Sequence, residues 1–268
     1  MQPEARNPLR NFNSDNTSTA TVGNTTVTKP ATRPATAMIA ALSRCYATVR
    51  QLLHLPVAQL QFDSRIGADN VAATYRAFTR RHPKYRLIQH KSWGAALIDL
   101  HECDSAGKYL DRIKGKNCGA YHAKRARARG YQLVEIDRND YIDAIHDINT
   151  SIDQRQGRPM DPKYYEKQVH YDKQRNFRYY GIINQEGKLM AYATIGWYGN
   201  FSAFSQLMGY RNNDGIMHLL VVGIVTRLID EGKVRYVMYD TFFGALPGMQ
   251  QFKTILGFQP YRAKYSLQ

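Results

Sequence analysis

The stretch Val234–Phe258, VRYVMYDTFFGALPGMQQFKTILGF, decides how the chain is read. Val234–Tyr239 is β-branched and aromatic, which predicts a strand. Asp240 and Thr241 end it, and Gly244, Pro247 and Gly248 mark a loop. Phe252, Ile255 and Leu256 then recur at helical spacing, Gly257 closes the short helix, and Phe258 opens another strand. Such a unit is a crossover in an α/β sheet.

The same alternation extends upstream to Tyr131. Gly215 opens Ile216–Ile229, apolar on most sides, which predicts a buried helix. Phe177–Ile183 and Lys188–Trp197 predict a hairpin around the Asn184–Gly187 turn, and Phe201–Met208 a further strand. Tyr131–Ile136 is a strand. Asn139 starts a helix with Ile142, Ile145, Ile148 and Ile152 on one face. Arg155–Met160 reads as a loop, and Asp161-Pro162 as the N-cap and first residue of a helix to about Gln174. This order predicts an α/β (α+β) fold, a mixed, mostly antiparallel twisted sheet with helices on both faces.

The N-terminal part reads differently. Residues 1–36 are rich in Ser, Thr, Asn, Ala and Pro, which predicts disorder. Ala37–Leu55 places Ile39, Leu42, Tyr46, Val49 and Leu53 on one helical side, with Arg44 and Arg50 but no acid. That helix packs on the main domain or a partner, or lies on an anionic membrane. A second helix runs from Asp69 to Arg81 and stops before Pro83. Two strands follow, Tyr85–His90 and Ala95–Leu100, separated by Ser92-Trp93-Gly94. The expected organisation is a disordered segment 1–36, N-terminal helices over 37–84, and one domain over 85–268.

Charge is the strongest bulk signal. With 37 Lys+Arg against 22 Asp+Glu the formal net charge is +15, which favours a polyanion such as tRNA, another nucleic acid or a CoA-type cofactor. Ser105–Gly130 concentrates this, with eight Lys/Arg and one acid, Asp111, over two helices broken at Gly115. The 3 cysteines have no metal-ligand spacing, so no metal site is expected and a reducing compartment is. No apolar run reaches bilayer-spanning length and the N-terminus has no signal-peptide core, so a cytoplasmic location is expected.

Three stretches carry a resemblance: KRARARGY (124–131), MGYRNNDGIMHLL (208–220) and PGMQQFKTILGFQPY (247–261). With the element order, they resemble the GNAT superfamily of N-acyltransferases, and within it the FemABX-like branch that includes the peptidoglycan aminoacyltransferases. The last stretch resembles that branch's Gly-Leu-x-x-Phe-Lys-x-x-Phe-Gly run. The resemblance covers about Tyr85 to Gln268. It implies acyl or aminoacyl transfer from acyl-CoA (or acetyl-CoA) or aminoacyl-tRNA to an amine-bearing acceptor; because no Cys/His or Ser/His arrangement stands out in the sequence, direct attack is expected rather than a covalent intermediate. The turn Tyr210–Gly215 departs from the pattern, because one Gly and an Asp replace the Gly-rich loop that holds the CoA pyrophosphate.

Acyl transfer needs a held donor, a neutral amine and a group that stabilises the oxyanion. The resemblance places Lys253 at the donor site as that group; its alternative is a solvated helix lysine. Asp240 and Tyr239 end a strand where α/β sites gather, as amine-orienting carboxylate and neighbour; the alternatives are a turn-capping Asp and a core Tyr. His218, one turn into the apolar helix, is a candidate base or a satisfied core histidine. Arg211, Gly215 and Gly248 are candidates for holding the donor. Arg155 and Arg158 suit an anionic acceptor group, and Ser205 or Gln206 a hydrogen bond to substrate. Lys114, Lys116, Lys124, Arg125, Arg127 and Arg129 are candidate phosphate contacts. A second reading is a basic nucleic-acid-binding or base-modifying protein on the same scaffold.

Overall fold

The computed structural model describes residues 50, 52–83, 86–155, 158–243 and 245–268. Two compact units divide the chain, Met1–Tyr46 and Ala47–Gln268, and the described residues belong to the second. The expected disorder over 1–36, and all but the last turn of the helix over 37–55, lie outside the described residues.

The strands are β1 (Val57–Phe62), β2 (Trp93–Asp99), β3 (Gln132–Glu135), β4 (Gln154–Arg155), β5 (Arg158–Pro159), β6 (Phe177–Ile183), β7 (Leu189–Trp197), β8 (Phe201–Gly209), β9 (Tyr236–Thr241) and β10 (Gln259–Leu267). The helices are α1 (Ala68–Thr79), α2 (Ala106–Arg112), α3 (Gly119–Ala128), α4 (Ile142–Thr150), α5 (Ile216–Glu231) and α6 (Pro247–Ile255). Eight strands form one sheet in the order β1-β10-β2-β9-β8-β7-β6-β3, and β4 and β5 form a separate small hairpin. Among the described strands, only β1–β10 and β8–β9 pair in parallel. The expected mixed, mostly antiparallel sheet is therefore present.

Helices cover both faces. α5 is buried along most of its length because its apolar residues run around the whole circumference, and α2, α3 and α6 pack with it on one face. On the other face, Val71 of α1 meets β1, β2 and β10, while Ile145 and Ile148 of α4 meet Leu189, Tyr192 and Met208. Burying Ile145 and Ile148 contributes about 2 kcal/mol each.

β1 was not anticipated. Its burial alternates residue by residue, and it adds a parallel edge to β10, so the compact unit begins before residue 85. Its free edge is capped by the β7–β8 turn: Asn200 accepts from Gln61 N–H at 2.8 Å and donates to Gln59 O at 2.9 Å. Gly199 (φ 147°) allows this, since a Cβ there would stand 2.2 Å from Gln61 O.

Three local expectations are corrected. Of the strand expected over 85–90, residue 85 lies outside the described residues and 86–90 form a turn-rich connection, because their apolar residues are only Leu87 and Ile88 and Leu87 is fully exposed. The helix expected from Asp161 stops after one turn, Pro162–Tyr164. Asp161 does cap it, accepting from Lys163 N–H at 3.2 Å, but the following EKQVHYDKQRN has no apolar face to bury, and Val169 is exposed. The loop over 155–160 contains the β4–β5 hairpin.

Candidate active site

β8 and β9 pair over Phe201–Ala203 and Tyr236–Met238 only, and beyond that they diverge. Each strand carries a bulge just past that point. On β8, Thr194 of β7 faces Gln206 and Ile195 faces Phe204, leaving Ser205 unpaired. On β9, Met238 and Thr241 face Leu97 and Ala95, so Tyr239 and Asp240 share one partner residue. Bulges re-aim side chains and interrupt pairing. Here they turn Ser205 and Asp240 into a cleft of about 680 Å³. One wall is α1 (Thr74, Ala77, Phe78), and the other is the β4–β5 hairpin and its following turn (Arg155, Met160, Tyr164).

Asp240 is strained. Its φ of 54° is left-handed, a conformation that costs a non-glycine residue about 1–2 kcal/mol. Its carboxylate pairs with Lys91, whose backbone carbonyl accepts from Tyr265 Oη at 2.8 Å. Burial pushes the Asp240 carboxyl up, but Lys91, by charge and hydrogen bond, and Lys253, by charge, together hold it below the usual range. Asp240 is thus an anion lying between two lysines.

Lys253 lies behind β9 and does not line the cleft. It is 3% exposed, donates from Nζ to Thr241 O at 2.7 Å, and rests 4.8 Å from the Tyr239 ring centroid. Burial lowers its pKa to about 8, with Asp240 opposing and Lys91 adding to the shift. Its ammonium therefore fastens the strained Asp240–Thr241 segment from the rear. Tyr239 lines the cleft, and burial pushes its hydroxyl up to about 12.

Of the other candidates, Arg155, Ser205 and Gln206 line the cleft. Arg155 Nη2 donates to Leu207 O at 2.7 Å, tying the hairpin to β8. Arg158 contributes backbone to that hairpin. His218 lies away from the cleft: its ring stacks on His122 at 4.4 Å and meets Phe252 at 5.0 Å. Burial, then the charges of His122 and Arg125, lower its pKa to about 4, so it is neutral near pH 7.

The turn before α5 is tied to α3. Asp214 accepts from the Arg129 guanidinium and, at 2.8 Å, from Tyr131 Oη. Arg125 donates to Asn213 O. Gly215 (φ 86°) is pressed on α3, where a Cβ would stand 2.5 Å from His122 O. Arg211 is exposed, and Gly248 begins α6 with open space around it. The basic stretch is thus partly spent internally: Arg125 and Arg129 on this turn, and Lys114 on Asp111 at 3.0 Å. Lys116, Lys124 and Arg127 remain exposed without a described partner. Among the described residues no cluster suits a metal, and no helix is long and apolar enough to cross a membrane.

Lys91 and the α1 wall escaped the sequence reading. The partner of Lys91 lies 149 residues away, so no local signal marks it.

A divergent parallel pair thus lies within the mixed, mostly antiparallel sheet expected from the sequence. No protein-family model matches the chain, and no curated protein matches it in sequence. Among solved structures it is similar to FemX (10% identity, TM-score 0.48, 63% of this chain and 59% of that chain). It is also similar to the C-terminal domain of a putative lysylphosphatidylglycerol synthetase from Agrobacterium fabrum (14%, 0.42, 62% and 57%). A third likeness is a tandem GNAT protein from the clavulanic acid biosynthesis pathway (20%, 0.39, 63% and 50%). The matched region spans between half and three-fifths of those chains.

Proposed function

We propose that the chain is an N-acyltransferase that moves an acyl or aminoacyl group from an activated donor to an amine bound in the β8–β9 cleft. The observation that carries this reading is Asp240, a strained, doubly lysine-flanked carboxylate aimed into the gap between diverging strands. Asp240 accepts a hydrogen bond from the incoming amine and orients its lone pair toward the donor carbonyl. The nitrogen attacks directly, a C–N bond forms, the C–O or C–S bond of the donor breaks, and the leaving oxygen or sulfur takes up the proton the amine loses. Lys91 and Lys253 act as positioning residues, one holding the carboxylate and the other the backbone beneath it.

For the donor, the turn at 212–215 supports an aminoacyl ester such as aminoacyl-tRNA over acyl-CoA. That turn lacks the Gly-rich loop, and its Asp214 would oppose a pyrophosphate at the N-terminus of α5. The exposed Lys116, Lys124 and Arg127 and the +15 net charge fit a polyanionic donor. The test is a product assay with the full chain. Mixed aminoacyl-tRNA or acetyl-CoA is incubated with a panel of primary amines, and amide products are read by mass. The reading expects product with aminoacyl-tRNA. Product with acetyl-CoA alone overturns the donor assignment, and no product with either donor overturns the function.

A further inference from the structure

We propose that the small cavity beside the cleft is a carboxylate-binding subsite whose receptor is the Arg138 guanidinium. It takes the far end of an acceptor whose amine lies at Asp240; the placement of the amine end rests on the acyl-transfer reading. The cavity measures about 190 Å³ and adjoins the cleft, with Tyr164 and Gln206 lining both, and the proposed acceptor reaches from one space to the other past these two residues.

Arg138 rests against two tyrosine rings. Its guanidinium carbon lies 4.4 Å from the centroid of Tyr171 and 4.1 Å from that of Tyr179. Two aromatic rings thus lie against an always-charged group whose N–H donors point outward along its planar edge. Nη2 donates to Asp172 O at 3.2 Å. The adjacent Asp137 is spent on Asn139 N–H at 3.0 Å and on Lys173 at 2.6 Å. Among the described residues no carboxylate pairs with Arg138. A part-buried cation without a counter-ion is costly, and a planar guanidinium edge matches a carboxylate in a two-bond fork.

A second donor faces the same space. Asn149, 8% exposed, lines the cavity. Its Oδ1 accepts from Tyr192 Oη at 2.6 Å, which orients the amide, and among the described residues no acceptor is seen for its Nδ2. Glu166, the one acid bordering the cavity, is exposed, so water screens its charge.

The test titrates the full-length chain with glycine, 4-aminobutyrate, 6-aminohexanoate and 8-aminooctanoate, each beside its methyl ester, by calorimetry. One chain length is expected to bind best and to lose at least tenfold in affinity as the ester. Arg138→Gln should bind acid and ester equally. Asn149→Asp is the second variant, in case Arg138→Gln fails to melt cooperatively. It keeps the Tyr192 contact and should weaken the acid but not the ester. Equal binding of acid and ester to the wild type at every length overturns the proposal, as does an unchanged preference in a folded variant. The assay needs no turnover. An acid preference without any acyl transfer would count against the proposed function and leave the subsite standing.

Discussion

Two places on the β8–β9 side of the sheet were candidates for the chemistry: the turn that leads into α5, and the gap where β8 and β9 part. In the turn, polar groups meet partners from the chain itself, Asp214 with Arg129 and Tyr131, Asn213 with Arg125. In the gap, two bulges, a left-handed Asp240 and a buried lysine are held in an arrangement that local stability would not select. Both places satisfy their polar groups internally, but only in the gap does a non-glycine residue hold a left-handed backbone beside open space.

The contrast breaks first at Asp240. Asp240→Asn keeps the side-chain shape and tolerates the left-handed backbone, so it should fold. Its turnover should fall by ~10³-fold, about 4 kcal/mol of barrier, measured as amide product per enzyme. A loss under tenfold would remove Asp240 from the chemistry.

Gly215 tests the other region. Gly215→Ala meets both a left-handed φ and the His122 carbonyl. It should cost about 3 kcal/mol in denaturant unfolding. A neutral result would mean that α3 does not press on this turn.

Lys253 sharpens the comparison through pH. Its folded pKa of about 8 lies below the ordinary lysine value of 10.5. Between those values the unfolded chain holds a proton that the folded chain has released, so stability rises with pH through that window. Below pH 8 the burial penalty is present in full. Relative to Lys253→Met, the wild type should therefore gain about 3 kcal/mol between pH 8 and 10.5. A pH-independent difference would place the ammonium in water. The smallest effect is at Asp214. Its partners are partly exposed, so Asp214→Asn should cost about 1 kcal/mol of stability and leave turnover at saturating donor unchanged.

Much of the fold was legible because its signals are local. The apolar circumference of α5, the Asn184–Gly187 hairpin turn and the punctuation of Val234–Phe258 each lie within one short stretch. β1 was missed because its six residues pair with the far C-terminus. The helix after Asp161 was over-read because a good cap starts a helix but only a buried face sustains it. Of the candidates named from the sequence, Asp240, Tyr239, Ser205, Gln206 and Arg155 line the cleft. Their bulges, the pairing of Lys91 and the sealing of the Gly215 turn depend on contacts between distant segments. Lys253 was placed in the right neighbourhood, but its burial behind β9 follows from packing against Tyr239, which spacing alone does not reveal.

The central claim is that Asp240 is held in strain because its carboxylate is used. Asp240→Gly tests this most directly, since glycine accepts the left-handed backbone without cost and carries no carboxylate. The account predicts a folded variant about 1 kcal/mol more stable than Asp240→Ala, with amide formation reduced ~10³-fold. Turnover of Asp240→Gly at the wild-type rate would contradict it.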